Sequence, residues 1–238
     1  MSAKTSRAEA EPTHRLDPVR FELDPAPLLA KVRLEGDAGY RDEVARLLAE
    51  AGRLARPTAL YRLAYPQLVD AERVIIGGVE LRSRVLRVNL SAAQRVFVYV
   101  ATCGPELDEW AHAKDDPLER YLAEAIKEAA LGTAIRALNR DIQQRYRPGP
   151  TAAMAPGSLA DWPIQQQRPL FAILGDVPGR IGVQLSPSYV MIPNKSVSGI
   201  RFPRQESFES CMLCPRPDCP NRRAPYDPGL YARRYAAS

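Results

Sequence analysis

Three of the four cysteines in the chain lie within nine residues of one another. Cys211, Cys214 and Cys219 have the spacing C-x2-C-x4-C, in a run rich in proline. Two thiolates separated by two residues can share one metal, because a tight turn brings both sulfurs to the same side. Cys103 lies more than a hundred residues upstream, after an apolar stretch. Four thiolates would complete a tetrahedral zinc site or hold an iron–sulfur cluster.

The sequence leaves other roles for these thiols open. Free buried thiols, a redox pair, or disulfides in an exported protein would also account for four cysteines. The spacing resembles the first three ligands of the cluster in corrinoid iron–sulfur proteins, where a fourth cysteine follows downstream. Here none follows Cys219. Either Cys103 supplies the fourth ligand, or a cluster has three protein ligands and an open iron, or the metal is zinc.

Composition and charge exclude several classes of function. The formal charge of +5 is dispersed, and no block of basic residues alternates with aromatics, so we expect no nucleic-acid partner. We find no signal peptide and no apolar run of membrane-spanning length, which predicts a cytoplasmic protein whose thiols stay reduced. The only histidines are His14, in a polar head, and His112, in a polar helical stretch. Histidine-based acid–base catalysis is therefore disfavoured.

Hydrophobic periodicity predicts an α+β domain at residues 18–203, after a flexible head (1–17) and before a Cys/Pro-rich segment (204–238). The strongest strand is the β-branched and aromatic run 95–102, which we place in the centre of a sheet. The longest helix begins at Pro117 and ends at Tyr146, with an apolar stripe on one side. Other helices are predicted near 25–32, 40–55, 105–113 and 161–174 and after Pro228, and other strands at 21–24, 60–65, 73–76, 79–81, 85–90, 179–184, 189–192 and 197–202.

Two segments in order give the chain a resemblance to a known family. They are PGSLADWPI with the following QQ and LF, and IGVQLSPSYVMIPNKSVSGIRF. They resemble the activation domain of cobalamin-dependent methionine synthase, over about residues 20–210. The resemblance implies a C-shaped fold in which helices, one of them long, pack around a twisted antiparallel sheet. It also implies an adenosylmethionine site and contact with a cobalamin-binding domain that needs reductive reactivation.

The chain departs from the family at its adenosylmethionine site. The family loop has the form Arg-x-Ala-Pro-Gly-Tyr, and this chain has Ala153 in place of the arginine and Ser158 in place of the tyrosine. A family glutamate falls at about Gly132 here, and a second tyrosine falls near Phe208. The arginine would hold the ligand's carboxylate through a charge-assisted pair. The resemblance with these substitutions predicts that adenosylmethionine binds weakly or not at all.

We therefore expect an accessory protein that docks on a corrinoid protein and supports the reduction of its inactive cob(II)alamin. The cobalamin would be carried by the partner, and Cys103, Cys211, Cys214 and Cys219 would hold an electron-transferring cluster. One alternative is a non-enzymatic binding module with structural zinc, and another is adenosylmethionine-dependent remethylation with altered ligands. The docking and cofactor-binding groove is expected at Ala155, Pro156, Gly157, Ser196, Val197, Ser198 and Gly199.

Overall fold

The computed structural model describes residues 11–35, 38–204, 208–219 and 222–236. The helices are α1 (Pro25–Val32), α2 (Ala38–Leu54), α3 (Arg84–Asn89), α4 (Pro105–His112), α5 (Pro117–Tyr146), α6 (Gln167–Leu174), α7 (Val177–Ile181) and α8 (Leu230–Arg234). The strands are β1 (Thr13–Arg15), β2 (Thr58–Ala64), β3 (Pro66–Leu68), β4 (Arg73–Ile76), β5 (Val79–Arg82), β6 (Val96–Thr102), β7 (Thr151–Met154), β8 (Gln184–Leu185), β9 (Met191–Ile192) and β10 (Ser196–Pro203).

A five-stranded antiparallel sheet forms the centre of the molecule. Its strand order is β1-β2-β6-β10-β7, and a three-stranded sheet (β3-β4-β5) and a two-stranded sheet (β8-β9) accompany it. All seven residues of β6 are buried, as expected for a central strand with both faces covered. In the register of β6 with β10, Tyr99 lies opposite Gly199 and Thr102 lies opposite Ser196. This pairing places the predicted central strand beside the predicted run Ser196–Gly199.

The long helix α5 covers one face of the sheet. Asp116 caps its N-terminus by accepting hydrogen bonds from the backbone N–H groups of Leu118 and Glu119, as a short acidic side chain does at this position. The helix ends at Tyr146, and the next residue, Arg147, has a left-handed backbone conformation. One buried cluster between α5 and the sheet contains Tyr61 and Phe97, and a second between α5 and α1, α2 and α4 contains Cys103. The opposite face of the sheet packs on α3, α6 and α7. No described helix is long and apolar enough to cross a membrane.

The α+β class, the central position of β6 and the bounds of α5 are confirmed. Two predicted strands are instead helical. Ser83 caps α3 by accepting from the N–H of Leu86, so residues 84–89 form a helix. Asp176 caps α7 in the same way, and only Gln184 of the predicted strand 179–184 joins a sheet.

The N-terminal predictions also need correction. Residues 21–24 form no strand, and Phe21 is buried in the helical cluster. The head is not flexible throughout, because Thr13–Arg15 pairs with β2 and His14 stacks on Tyr61. Residues 1–10 lie outside the described part of the chain.

Candidate functional site

A cavity of about 530 Å³ lies between the central sheet, α5 and the C-terminal segment. One wall comes from the sheet and carries Tyr99, Val197 and Arg201, and α5 contributes Ile135. The opposite wall comes from the C-terminal segment and carries all three clustered cysteines, Cys211, Cys214 and Cys219. Ala153, Met154, Ala155, Gly157, Ser158, Ser210, Arg216 and Arg223 complete the lining.

A second groove, of about 500 Å³, lies between the segment before α1 and the helix α2. It is formed by the segment around Phe21 and by the outer turns of α2, from Ala45 to Arg53. Its described lining contains no cysteine and no histidine, and its charged groups are the side chains of Arg20, Glu22 and Arg53. The cysteine-lined cavity is therefore the better candidate for a chemical site.

The loop that carries the cysteines is held by hydrogen bonds from backbone and arginine N–H groups. Cys211 lies in a 3₁₀ turn, Ser210–Leu213, and its Sγ accepts a hydrogen bond from the backbone N–H of Arg223 at 3.4 Å. The Arg222 guanidinium donates to the carbonyl oxygens of Cys211 at 3.1 Å and Cys214 at 3.2 Å. Burial opposes ionisation of Cys211, but the N–H groups of Arg223 and Ala224 and the Arg223 charge outweigh it and lower the thiol's pKa. This environment favours a thiolate at Cys211.

Three guanidinium groups line the same cavity, those of Arg201, Arg216 and Arg223. No aspartate or glutamate belongs to the described lining. With the thiols protonated the lining carries three positive charges, and three thiolates would neutralise them. Arg223 also pairs with Glu209 outside the lining, at 3.4 Å. The charge of the cavity thus suits thiolates or another anionic group.

Arg201 has a donor that the described residues leave unused. Its Nη1 donates to Thr151 Oγ1 at 2.8 Å, while its buried Nε has no hydrogen-bond partner among the described residues. Burial, together with the Arg223 charge, lowers the pKa of Arg201. A buried cation with an unused donor is costly unless an anion reaches it. Arg201 therefore marks the sheet wall as a place for negative charge.

The predicted loop residues lie at this cavity only in part. Ala155 and Gly157 line it, whereas Pro156 is buried beside them and does not. Gly157 has a φ of +82°, and its N–H donates to the carbonyl oxygen of Trp162 at 2.7 Å. Ser158 Oγ donates to the carbonyl oxygen of Ala155 at 2.6 Å. These bonds fix a tight turn at the mouth of the cavity.

The alternation of strand β10 divides the predicted run Ser196–Gly199. Val197 lines the cavity, but Ser198 points to the other face, where it is buried and donates to Gln167 Oε1 at 2.5 Å. Ser196 Oγ bonds to Thr102 Oγ1 at 2.9 Å, at the edge of the sheet. Gly199 lies under Tyr99, and a Cβ atom there would meet the Met154 carbonyl oxygen at 2.4 Å.

Cys103 lies elsewhere. It is fully buried in the cluster between α5 and the other helices, and it does not belong to the described lining of the cavity. Burial raises the pKa of its thiol to about 12. Its nearest charged groups include Lys127, Asp108 and Glu124. The structure brings the three clustered cysteines to one cavity and does not bring Cys103 to it.

The described side chains contain no group of three or more His, Cys, Asp or Glu that converges on one metal ion. A single zinc ion needs its sulfurs about 2.3 Å from one point. In an iron–sulfur cluster each thiolate binds a different iron, so the sulfurs are spread around the cluster. The three cysteines therefore share one cavity without forming such a group among the described residues.

The sequence reasoning did not single out Tyr99, Arg201 or Arg223. The signal for Arg201 was present, because Val197, Gly199 and Arg201 alternate along one strand and must share a face. Arg223 had no comparable signal, since a residue beyond a proline-rich loop has no predictable direction.

Comparison with known proteins finds a similar fold among solved structures. No family model matches the chain, and no curated protein matches it. The fold is similar to a solved structure described as the crystal structure of the MetH reactivation domain bound to AdoHcy. The TM-score is 0.64 at 16% sequence identity, over 84% of this chain and 81% of that chain.

The chain has the fold of the methionine synthase reactivation domain. This confirms the fold expected from the sequence resemblance, including the antiparallel sheet and the long helix.

Proposed function

We propose that this protein is an accessory protein that docks on a corrinoid-carrying protein and supports the reductive reactivation of its cobalt. The fold is that of a domain named for reactivation, and the cavity adds groups suited to electron transfer. The observation that carries the proposal is the meeting of three cysteines and three arginines at one cavity beside the Gly157 loop.

Each part of the cavity has a role in this proposal. An iron–sulfur cluster bound there would supply single electrons, which is what the reduction of cob(II)alamin to cob(I)alamin consumes. Cys211, Cys214 and Cys219 provide thiolates, and the guanidinium groups of Arg201 and Arg223 offset their charge. The partner brings the corrinoid, and the exposed turn at Gly157 and Ser158 lies at the mouth of the cavity, where the partner would approach.

Anaerobic purification with metal analysis tests the cofactor. We expect iron with acid-labile sulfide in equal amounts, absorbance in the visible range, and loss of both in Cys214→Ser. A matched control is Ser210→Ala, which also lies in the cavity lining but removes no thiol. Zinc without sulfide would instead establish the alternative, a non-enzymatic module with a structural metal.

Reactivation itself needs a separate assay. The probe is the cobalamin-binding part of methionine synthase loaded with cob(II)alamin, with dithionite as the electron donor and methyl iodide as a trap for cob(I)alamin. One electron passes to cob(II)alamin, and the resulting cob(I)alamin displaces iodide to give methylcobalamin. We expect faster methylcobalamin formation with the protein than without it, and no acceleration by Cys214→Ser. Equal rates in all three reactions would contradict the proposal.

A second candidate, an S-adenosyl ligand in the same cavity, is favoured by one observation. Arg201 lies directly opposite Ala153 in the register of β10 with β7, and Ala153 is where the resembled family has its arginine. The guanidinium missing from the loop would thus come from the neighbouring strand, and its Nε, which has no partner among the described residues, would hold a carboxylate.

Calorimetry with adenosylmethionine and adenosylhomocysteine decides this candidate. A dissociation constant in the low micromolar range, about −8 kcal/mol, that is lost in Arg201→Gln would establish it. Binding too weak to measure would agree with the prediction from the sequence and leave the redox proposal unaffected.

A further inference from the structure

The sheet wall of the cysteine-lined cavity carries a group of hydrogen-bond donors. In strand β10, Gly199 and Arg201 lie two residues apart and therefore on the same face of the sheet. A Cβ atom at Gly199 would lie 3.1 Å from the Tyr99 hydroxyl, so this hydroxyl leans over the glycine. Burial raises the pKa of Tyr99, while the nearby charges of Arg201 and Arg223 act against that rise. Tyr99 and Arg201 can thus donate to one ligand.

The three guanidinium groups of the cavity differ in the negative charge around them. Arg223 pairs with Glu209 at 3.4 Å, and its backbone N–H donates to the Sγ of Cys211. For Arg201 and Arg216, the described lining of the cavity contains no carboxylate partner. The buried Nε of Arg201 also has no hydrogen-bond partner among the described residues. Two positive charges therefore remain without an anion in the described lining.

These two charges approach the cavity from opposite walls. Arg201 lies on the central sheet, whereas Arg216 lies on the C-terminal segment between Pro215 and Pro217. The prolines restrict the backbone of this loop. An anionic group between the two walls would receive N–H donors from both, in the manner in which guanidinium groups bind phosphate. Two cations match one dianion.

The rest of the cavity suits an apolar body rather than a bare ion. Its volume of about 530 Å³ lies in the range of sites for small organic molecules. The side chains of Ile135, Met154 and Val197 contribute apolar surface to the lining. A ligand that fills this cavity therefore combines an apolar part with a doubly charged head group.

We propose that this cavity binds a small organic phosphomonoester, whose phosphate lies between Arg201 and Arg216 and accepts a hydrogen bond from Tyr99. A phosphomonoester carries close to two negative charges at neutral pH, because its second proton dissociates near pH 6, at about 6. A carboxylate or a sulfate ester carries only one. The site uses neither a thiolate nor a metal, so it goes beyond the proposed function and does not depend on it.

Two probes with the same body separate the charge of the head group from its shape. 1-Naphthyl phosphate and 1-naphthyl sulfate differ in that charge, and calorimetry with the full chain at neutral pH measures both. We expect the phosphate to bind about tenfold more tightly or better, as for a further charged hydrogen bond. Equal affinities, or no binding of 1-naphthyl phosphate, would overturn the proposal.

Inorganic phosphate tests the apolar half of the ligand. Because it lacks the naphthyl body, it should bind about tenfold more weakly than 1-naphthyl phosphate, or worse, since less apolar surface is buried. Inorganic phosphate that binds as tightly as 1-naphthyl phosphate would overturn the assignment of an organic ligand.

Arginine variants locate the phosphate. Arg201→Gln and Arg216→Gln should each weaken the binding of 1-naphthyl phosphate by about tenfold or more, as for loss of a charged hydrogen bond. Arg53→Gln is the control, because it removes one guanidinium group from the second groove instead. Arg216 is exposed, so its replacement tests the site even where Arg201→Gln does not fold, and circular dichroism verifies the fold of each variant. Equal affinities in Arg216→Gln and Arg53→Gln would overturn the proposal.

Cys214→Ser separates this site from the metal chemistry of the proposed function. We expect folded Cys214→Ser to bind 1-naphthyl phosphate with the affinity of the unaltered protein. Loss of binding in this variant would show that the anion is held through the thiols or a metal, which would overturn this inference and leave the proposed function in place. Absence of iron from every anaerobic preparation would overturn the proposed function and leave this inference in place.

Discussion

Gly199 is the residue that lets β10 and β7 approach each other beneath Tyr99. A Cβ atom there would lie 2.4 Å from the Met154 carbonyl oxygen and 3.1 Å from the Tyr99 hydroxyl. The carbonyl is backbone and cannot turn aside, so Gly199→Ala should destabilise the protein by about 1–3 kcal/mol, as overpacking does. Urea unfolding measures this.

Gly132→Ala is the matched control for Gly199→Ala. Gly132 lies within α5, and its Cβ atom would meet only the Arg136 Nη1 atom at 3.3 Å, the end of a flexible side chain. Alanine favours a helix over glycine by about 1 kcal/mol, so this variant should be neutral or more stable. Equal loss of stability in the two variants would contradict the role of close approach at Gly199.

Gly157 combines a positive φ with a packed neighbour. Its φ is +82°, and a Cβ atom would lie 3.3 Å from Ile164 Cβ, whereas Gly149 has a φ of +73° and open space around it. Gly149→Ala should lower the free energy of unfolding only by the cost of the left-handed backbone, about 1 kcal/mol. Gly157→Ala should lose about 1 kcal/mol more. Thermal melting of both variants measures these losses of stability. Equal losses in Gly157→Ala and Gly149→Ala would contradict this account.

At the residue scale, the sequence is informative where a motif carries its own geometry. The Pro-Gly turn and the C-x2-C spacing indicated a turn and a cysteine cluster, and the structure places Gly157 and the three cysteines at one cavity. The run Ser196–Gly199 was taken as one unit, although side chains alternate along a strand, so Ser198 faces Gln167 instead. The position of Cys103 depends on helix packing across a hundred residues, which spacing alone does not specify.

At the scale of elements, a helix cap determines the structure of a segment whose hydrophobic pattern indicated a strand. Residues 85–90 are β-branched and apolar enough to indicate a strand, yet Ser83 caps a helix there and Asp161 Oδ2 accepts from the Val85 N–H at 3.0 Å. A six-residue helix is too short to show its period. The 30-residue helix α5 begins at Pro117 and ends just before the helix breaker Pro148-Gly149-Pro150, and its predicted bounds are therefore correct.

Lys127 joins α5 to α4 through a buried ion pair. Its side chain is fully buried, and its Nζ lies 2.6 Å from Asp108 Oδ1 and 2.5 Å from Glu124 Oε1. Lys127→Met would leave Asp108 buried without its cation, which should cost about 3–5 kcal/mol. Lys31→Met is the control, because Lys31 pairs with Glu128 at an exposed position and should lose about 1 kcal/mol or less. Urea unfolding measures both variants. A loss of stability in Lys127→Met as small as that in Lys31→Met would contradict the stabilising role of the buried ion pair.

The pH dependence of stability follows from the same group of residues. Burial opposes the charge on Glu124, but Lys127, Asn194 and Lys195 outweigh it and lower its pKa below 4.5. Its stabilising contribution is therefore present above pH 4.5 and is lost as pH falls through the lowered pKa. Burial also opposes the charge on Lys127, but Asp108 and Glu124 outweigh it and raise its pKa above 10.5. The stabilising contribution of Lys127 is therefore lost only as pH rises through this raised pKa.

Urea unfolding across the acid range tests this linkage. Between pH 5 and pH 3 the unaltered protein should lose more stability than Lys127→Met, because the variant lacks the Lys127 cation that helps to lower the pKa of Glu124. Parallel pH profiles would show that the pair does not govern Glu124.

At the scale of the whole molecule, the C-terminal segment packs as part of the core that contains the sheet. The sequence predicted an irregular segment after residue 203, with a short helix after Pro228, and the structure has α8 there. Phe208 and Tyr235 are buried in the large cluster with residues of the sheet. The sequence gives no sign of this, because two aromatic residues in a proline-rich stretch have no periodicity to indicate a partner.

Tyr235 and Tyr231 offer a direct test of how the C-terminal segment is held. Tyr235 is fully buried and its hydroxyl donates to Asn89 Oδ1 at 3.1 Å, whereas Tyr231, one turn earlier, is 42% exposed. Tyr235→Ala should lower the free energy of unfolding by about 3–5 kcal/mol, as truncation of other large buried aromatic residues does. Tyr231→Ala should lower it by about 1 kcal/mol or less. Because the segment carries the cysteine wall, Tyr235→Ala should also lower the iron content that the proposed function expects after anaerobic purification. A destabilised Tyr235→Ala that keeps its full iron content would show that the cysteine loop is held independently of α8.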